Sequence, residues 1–277
     1  MLTKNTFFQL RDFIYEKTGI YFPENKMYLI ENRLGNRLKE LGLSSFEEYY
    51  LYLKYGNEKS KKELPNLYDA ITTNETSFFR NPQQFDAFRT ILIKEYIQND
   101  FGISSCLRIW STGCSTGEEP YTIAIVVLEL METLKRDINF TVYATDISPK
   151  VLKSAKRGVY SEYTMRGVPD HIKKKYFVPT GNNSYKISED LKKYVRFDFM
   201  NLVDERAYAL YKNMDVIFCR NVLIYLHEKA KKKVLENLYG CLKSGGFLIL
   251  GYAETLHQQR YGFRPVLFPG TVVYQKV

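Results

Sequence analysis

Residues 70–82, AITTNETSFFRNP, place six polar residues in an unbroken row before two phenylalanines, an arginine and a proline. The row offers hydroxyl, amide and carboxylate groups, which form hydrogen bonds with polar partners. Neither a helical nor a strand period organises it. A requirement other than burial therefore selects these residues.

A glycine-rich turn is a second candidate site. In RIWSTGCSTGEEPYTIAI, a strand-like run leads into Gly113 and Gly117 and then into a helical pattern. Glycine lets backbone approach a ligand closely, and the amides at a helix start face that ligand. The turn has neither GxGxxG spacing nor a Walker lysine. Two alternatives stay open: the turn only packs a helix on a strand, and Glu118 and Glu119 are ordinary acids of a first helical turn.

Polar groups also follow two other predicted strands. Asp146 ends FTVYATD, and an acid at the tip of the second strand of a Rossmann-like sheet is well placed to accept both hydroxyls of a ribose. Its alternative role is to cap the next helix. DVIFCRNVLIYL ends its strand in Cys219, Arg220 and Asn221, with Tyr225 one helical turn later. Taken alone, Tyr225 is better explained by packing of its ring.

The elements that position these motifs alternate from Leu107 onward. The predicted strands are LRIWST, FTVYATD, YVRFDFMN, MDVIFCRN and GGFLILGYAE, and helical patterns lie between them. This order predicts an α/β fold with a mostly parallel, doubly wound sheet, which binds ligands beyond the carboxyl ends of its strands. Residues 174–188 break the alternation around Gly181-Asn182-Asn183, which predicts a small antiparallel hairpin insertion.

The first 67 residues have a helical pattern that predicts a bundle of four short helices. Gly19 and Gly42 are the predicted ends of the first two helices. Helix starts are predicted at Pro23 and at two pairs spaced as capping boxes, Ser45 with Glu48 and Ser60 with Glu63.

Four motifs, TTNETSFFR, STGCSTGEEPYTIA, ATDISPKVL and FCRNVLIYL, resemble in sequence and order those of the CheR family of chemotaxis methyltransferases. Enzymes of that family transfer a methyl group from S-adenosylmethionine to glutamate side chains of chemoreceptors. The resemblance spans nearly the whole chain. It implies a Rossmann-like methyltransferase domain with a hairpin insertion, preceded by an all-α domain. The implied division is a receptor-docking bundle at 1–70, a cofactor-closing linker at 71–90 and a methyltransferase domain at 91–277.

The resemblance also implies roles for single residues. Arg80 and Tyr225 would be catalytic and would position the reacting carboxylate. Asp146 would hold the ribose of S-adenosylmethionine, and Asn201 with Leu202 would lie beside its adenine. The remaining cofactor contacts would be Asn74, Thr76, Arg80, Gly113, Glu118, Glu119, Cys219, Arg220 and Asn221. The receptor would dock on Lys26, Arg33, Arg37 and Lys39. Which of the two adjacent glutamates contacts the cofactor, and whether the hairpin binds a receptor peptide, stay open.

The expected chemistry needs no general base. A glutamate carboxylate has an unperturbed pKa of about 4.3 and is already ionised at neutral pH. The expected reaction is therefore an in-line displacement that depends on proximity and orientation.

Two hypotheses stand beside glutamate methylation, and the charge of the chain suggests the first of them. The net charge is +9, and residues 150–233 hold 19 basic and 9 acidic residues, which indicates an anionic partner or simply solvated helix faces. A nucleic-acid methyltransferase would use this charge, although neither a recognised RNA-binding module nor an NPPY-type motif is present. The third hypothesis is a non-catalytic S-adenosylmethionine-binding signalling protein.

Cysteine and hydropathy patterns bear on the location of the protein. Four scattered cysteines form no CxxC pair, so we expect free thiols and no metal site. The longest apolar runs are too short for a membrane helix, and the first residues lack a signal-peptide pattern. We therefore expect a cytoplasmic protein that is not itself in the membrane. Since no RNA-binding module is recognised, we also expect that it does not bind nucleic acid.

Overall fold

The computed structural model describes residues 1–97, 106–256 and 262–277. Its N-terminal part is helical, with α1 (Lys4–Thr18), α2 (Met27–Leu41), α3 (Phe46–Tyr55) and α4 (Asn57–Ile71). A single 3₁₀ turn, Glu24–Lys26, follows Pro23 and leads into α2. The four helices bury one apolar cluster that includes Phe7, Leu34 and Leu67. The predicted helical bundle is therefore present.

Most of the predicted helix ends are confirmed. Gly19 and Gly42 follow α1 and α2 with φ of 71° and 67°, a left-handed conformation that glycine adopts without steric cost. Ser45 caps α3, because its hydroxyl accepts a hydrogen bond from the Glu48 amide at 3.1 Å.

The predicted capping box of Ser60 and Glu63 is wrong. Helix α4 begins at Asn57, so both residues lie inside it. The Ser60 hydroxyl donates to the Leu53 carbonyl, and the Glu63 carboxylate is buried against Arg37. Both side chains have partners on neighbouring helices, which is why neither caps its own.

The remaining helices belong to the α/β part of the chain. They are α5 (Pro82–Ile91), α6 (Glu118–Leu134), α7 (Pro149–Arg157), α8 (Asp170–Tyr176), α9 (Glu189–Lys192) and α10 (Glu228–Cys241). A π-helical turn, Leu92–Ile97, continues α5, and 3₁₀ turns cover Glu205–Leu210 and Leu223–Tyr225. Helix α5 occupies much of the segment that the sequence indicated only as a linker. Among the described residues, no helix is long and apolar enough to cross a membrane.

The central sheet has seven strands in the order β6-β2-β1-β7-β8-β10-β9. They are β1 (Leu107–Thr112), β2 (Phe140–Asp146), β6 (Val195–Phe199), β7 (Met214–Cys219), β8 (Leu242–Leu250), β9 (Phe263–Phe268) and β10 (Thr271–Lys276). The first five strands in this order pair in parallel with their neighbours, and β9 and β10 add an antiparallel edge. The five predicted strands are present, whereas the β9-β10 edge was not predicted and makes the sheet mixed.

A second, three-stranded antiparallel sheet has the order β3-β5-β4. Strands β4 (Phe177–Gly181) and β5 (Ser184–Ile187) form the predicted hairpin. Strand β3 (Val159–Ser161) follows α7 directly, because α7 ends before Gly158, whose φ is 65°. The insertion therefore contains one strand more than the sequence indicated.

The strand order fixes where a ligand can bind. Helices cover both faces of the sheet, and alternate residues of β1 supply the two cores: Ile109 lies in the core with α6, and Trp110 in the core with α10. From β1 the chain moves to β2 on one side and reaches β7 on the other. Loops leaving such neighbours diverge and open a crevice at the carboxyl ends of the strands.

Candidate cofactor site

A cleft lies at this crevice, between the carboxyl edge of the sheet and the helical bundle. Its wall includes many residues that the sequence singled out: Lys26, Arg33, Asn74, Gly113, Asp146, Asn201, Leu202, Asn221 and Tyr225. The other predicted residues lie outside its lining: Thr76, Arg80, Glu118, Glu119, Cys219, Arg220, Arg37 and Lys39. The cleft thus brings together parts of all four motifs and of the second helix.

Asp146 is the buried acid of the cleft. It ends β2, and only 6% of its surface is exposed. Its carboxylate accepts hydrogen bonds from the amides of Ser115 at 2.8 Å and Ser148 at 2.9 Å. Burial raises the pKa of Asp146, and these amide hydrogen bonds offset part of that rise. The N-cap of α7 is Ser148, whose hydroxyl accepts a hydrogen bond from the Val151 amide. Asp146 therefore does not cap that helix.

The glycine turn after β1 is shaped by close packing. Gly113 has a φ of 64°, and a Cβ there would collide with Val222, from the loop after β7. Gly117 has a φ of 97°, and a Cβ there would lie 2.9 Å from Ala155 Cβ. Glycine is therefore required at both positions for conformation and for space. Gly113 also lines the cleft, so the packing and ligand interpretations of this residue are compatible.

The two glutamates at the start of α6 have different partners. Glu119 forms a buried ion pair with Arg220 at 2.8 Å and accepts from the Ser111 hydroxyl at 2.7 Å. Glu118 is 1% exposed and accepts from the Thr116 hydroxyl at 2.6 Å. Burial raises the pKa of Glu118. Neither carboxylate lines the cleft, and a direct cofactor contact for either stays a prediction.

Arg220 connects the sheet to the segment before α5. Besides Glu119, it donates to the Gln84 side chain at 2.5 Å and to the Arg80 carbonyl. The guanidinium is thereby held by three partners in a site that is 7% exposed. In this arrangement Arg220 positions the segment that follows the polar row.

The first half of the polar row, Thr72 to Asn74, lines the cleft, and the segment that follows the row is anchored in the core. Phe78 is 1% exposed and packs edge-on against Tyr160 and Phe177, with ring centroids 4.8 and 5.1 Å away. The Asn74 carbonyl accepts from the Ser115 hydroxyl at 3.3 Å, which joins the row to the glycine turn. Arg80 is half-buried and donates to the Glu75 carbonyl at 2.8 Å.

The helical bundle supplies part of the site that the sequence did not indicate. Thr18, at the end of α1, contributes to the cleft wall together with Ile20, Tyr21 and Phe22, which lie between α1 and α2. Ile20 and Leu226 form an antiparallel bridge, the Tyr21 amide donates to the Tyr225 carbonyl at 3.1 Å, and the His227 amide donates to the Gly19 carbonyl at 2.9 Å. These contacts use backbone atoms, and no side-chain motif marks them; the only local signal is the Gly19 and Pro23 boundary.

A further hydrogen bond between the two domains holds Asn201. Its amide donates to the carbonyl of Lys17, at the end of α1, at 2.6 Å. Leu202 lies beside it in the cleft, and the Leu202 carbonyl accepts from the Tyr208 hydroxyl at 2.7 Å. Tyr225 lines the cleft and is 39% exposed.

The predicted docking residues occupy different environments. Lys26 is exposed and lines the cleft, and Lys39 is exposed away from it. Arg33 donates to the Thr73 hydroxyl at 2.7 Å and to the Ile71 carbonyl, so it supports the start of the polar row. Burial lowers the pKa of Arg33. Arg37 forms hydrogen bonds with both oxygens of the buried Glu63 carboxylate.

The two cysteines near the site are not poised as nucleophiles. Cys114 and Cys219 are buried, and burial raises the pKa of both thiols well above the ordinary range. A reactive cysteine needs a lowered pKa. Cys219 ends β7 as a small apolar residue of the core.

Sequence comparisons agree with this architecture. The family model described as "CheR methyltransferase, SAM binding domain" matches residues 74–269, and "CheR methyltransferase, all-alpha domain" matches residues 5–72. A chemotaxis protein methyltransferase of Borreliella burgdorferi is 37% identical over 92% of this chain and 89% of its own length. Chemotaxis protein methyltransferase 2 of Vibrio cholerae is 33% identical over 100% and 94%. Chemotaxis protein methyltransferase Cher2 of Pseudomonas putida is 33% identical over 97% of each chain. With these matches over both domains, the chain belongs to the CheR methyltransferase family.

Proposed function

We propose that this protein transfers a methyl group from S-adenosylmethionine to glutamate side chains of chemoreceptors, giving glutamate methyl esters for chemotactic adaptation. Membership of the CheR methyltransferase family supports methyl transfer from S-adenosylmethionine. The relatives' names support chemotaxis as the process. On this proposal the protein acts in the cytoplasm, on the cytoplasmic helices of the receptors.

The observation that carries the proposal is the buried carboxylate of Asp146 in a cleft at the carboxyl ends of β1, β2 and β7. An acid in this position accepts both hydroxyls of a ribose. Ile147, Met200 and Leu202 give the same cleft an apolar wall, and Asn201 adds an amide, which suits a purine ring. The residues present therefore fit a nucleoside cofactor.

The remaining chemistry is positioning. S-adenosylmethionine supplies a methyl group on a sulfonium, and the glutamate oxygen that attacks it is already ionised at neutral pH. Tyr225 stands at the cleft with an exposed side chain and would donate a hydrogen bond that orients this carboxylate. Arg80 would leave the Glu75 carbonyl and close over the bound cofactor with Asn74 and Thr76. Alignment of the reacting groups contributes about 7–11 kcal/mol in favourable cases.

The receptor partner would be an acidic helix, because the helical bundle offers exposed lysines at and beside the cleft. Lys26 is exposed at the cleft and Lys39 lies further along α2. We assign docking to these lysines first, because the Arg33 guanidinium already donates hydrogen bonds to Ile71 and Thr73 and the Arg37 charge is paired with Glu63. The bundle, the closing segment and the methyltransferase domain would then act together on one substrate helix.

The test is transfer of radiolabelled methyl from S-adenosylmethionine to receptor-containing membranes, followed by mild alkali. Label released as methanol supports glutamate esterification. Label that resists alkali, or that appears only on added RNA, refutes the proposed substrate. Asp146→Ala should weaken binding of S-adenosylhomocysteine by roughly 10–100-fold, since it removes a charged hydrogen-bond acceptor worth about 1.5–3 kcal/mol. Asp190→Ala, at a side chain that is 95% exposed, is the matched control and should bind as the wild type does.

A further inference from the structure

Glu254 is a buried carboxylate that the proposed chemistry does not use. It follows β8 and is 4% exposed. A buried carboxylate is costly unless its oxygens are satisfied by hydrogen bonds or by a cation. Among the described residues, no lysine, arginine or histidine forms an ion pair with it. Hydrogen-bond donors around it satisfy its oxygens.

Four backbone amides supply those donors. One carboxylate oxygen accepts from Asn221 at 2.8 Å and from Gly251 at 2.7 Å. The other accepts from Val222 at 2.9 Å and from Ile224 at 3.2 Å. Three of the four amides belong to residues 220–227, the loop between β7 and α10, here called the β7–α10 loop. One side chain thus organises the turn that carries Asn221 and leads to Tyr225.

The backbone of this loop needs such support. Asn221 has a φ of 59°, a left-handed conformation that residues other than glycine adopt at an energetic cost. Two glycines make room for the arrangement: a Cβ on Gly251 would lie 2.7 Å from the Glu254 carboxylate, and a Cβ on Gly113 would collide with Val222. The loop is therefore pressed against the glycine turn of β1 and held there by Glu254.

We propose that Glu254 is a positioning residue that fixes the β7–α10 loop so that Tyr225 faces the receptor carboxylate. This inference rests on the proposed methyl transfer. Glu254 touches neither reactant and acts through the loop backbone. The bundle holds the other end of the same segment, through Tyr21 and Gly19, so Glu254 supplies the support from the sheet side.

Glu254→Gln is the informative substitution, because it keeps the size of the side chain and one acceptor oxygen while turning a donor toward two of the amides. We expect the kcat of methyl transfer to fall roughly 10–100-fold, since a misplacement of about 1 Å costs about 100-fold. The Kd of S-adenosylhomocysteine should change less than about threefold, because Asp146 and the glycine turn are intact. Amide hydrogen exchange should rise in a peptide covering residues 220–227 and stay unchanged in β1. Glu236→Gln, at an exposed site on α10, is the control and should match the wild type in all three measurements.

Specific outcomes overturn this inference. A kcat within about twofold of wild type, with raised exchange in the loop, would show that an ordered loop is not needed. A Kd that rises as much as kcat falls would show that Glu254 supports the cofactor site in general. If Glu254→Gln does not fold, Gly251→Ala, which pushes on the same carboxylate, must give the same pattern of kcat, Kd and exchange. If the wild-type protein shows no methyl transfer, the proposed function and this inference are refuted together. If the wild type transfers methyl groups and Glu254→Gln does so equally well, only the inference is refuted.

Discussion

Replacing Arg37 by methionine separates a structural role of this residue from receptor docking. The Arg37 guanidinium lies against Glu63, with Nε to Oε1 at 2.9 Å and Nη2 to Oε2 at 2.7 Å. The Glu63 side chain is only 3% exposed, and its other partners are the Tyr49 hydroxyl and the Asn66 amide. The hydrogen bonds to Glu63 raise the pKa of Arg37. Arg37→Met would leave a buried carboxylate without its cation.

The expected cost follows from this geometry. Removing one partner of a buried pair costs about 3–5 kcal/mol. The Arg37 side chain is 16% exposed, so water reaches the site in part and the lower end of that range applies. At about 2–4 °C per kcal/mol for a chain of this size, the midpoint of thermal unfolding should fall by roughly 6–12 °C. Lys39→Met, at an exposed position on the same helix, should change it by less than about 2 °C.

Thermal unfolding of Arg37→Met, Glu63→Gln and the double variant measures the coupling directly. The double variant should recover part of the loss, because glutamine carries no uncompensated charge. Methyl transfer at 20 °C or below, where the variant is folded, should show a receptor KM close to that of the wild type. A wild-type midpoint combined with a receptor KM raised tenfold would refute this reasoning and would place Arg37 in the docking surface.

Two further predictions concern the proposed site. Arg80→Ala should lower turnover at least about 100-fold, because Arg80 is proposed to position the reacting carboxylate. The circular dichroism spectrum should stay unchanged, because the half-buried Arg80 side chain donates to the Glu75 carbonyl of its own segment. Activity within a few-fold of wild type would remove it from the catalytic set. Glu118→Gln should stabilise the ligand-free protein at pH 8 but not at pH 4, because burial raises the pKa of Glu118 above its ordinary 4.5. The wild type loses stability as pH rises from the unfolded-state pKa to the folded-state pKa of this buried acid, so the loss is present at pH 8 and absent at pH 4. Unfolding midpoints at both pH values check this, and an equal difference at both would contradict it.

The sheet and the location of the cleft were predictable because their signals are local. LRIWST, FTVYATD and MDVIFCRN are short apolar runs bounded by turns, and they form β1, β2 and β7. Since the carboxyl ends of parallel strands share one edge, the polar residues after them had to meet. Asp146 and Asn221 do so in the cleft.

The partners of individual side chains were not predictable, because they depend on distant parts of the chain. Glu119 and Arg220 are 101 residues apart in sequence and form a buried pair. The spacing of Ser60 and Glu63 matches a capping box, yet tertiary contacts determine the positions of both residues. A local motif shows which side chains are available for a hydrogen bond, while packing decides which of them meet.

The bundle also has a closer relation to the site than its composition indicates. Its basic residues point to docking, but its contacts with the cleft are largely made by main-chain atoms: the Lys17 carbonyl on Asn201, the Gly19 carbonyl on His227 and the Tyr21 amide on Tyr225. Backbone donors and acceptors are the same for every residue, so no residue type marks them. Because two of these bonds reach the segment that carries Tyr225, the helical bundle helps to position the proposed catalytic residue. Glu254 holds the same loop from the sheet, so the geometry of Tyr225 depends on both domains at once.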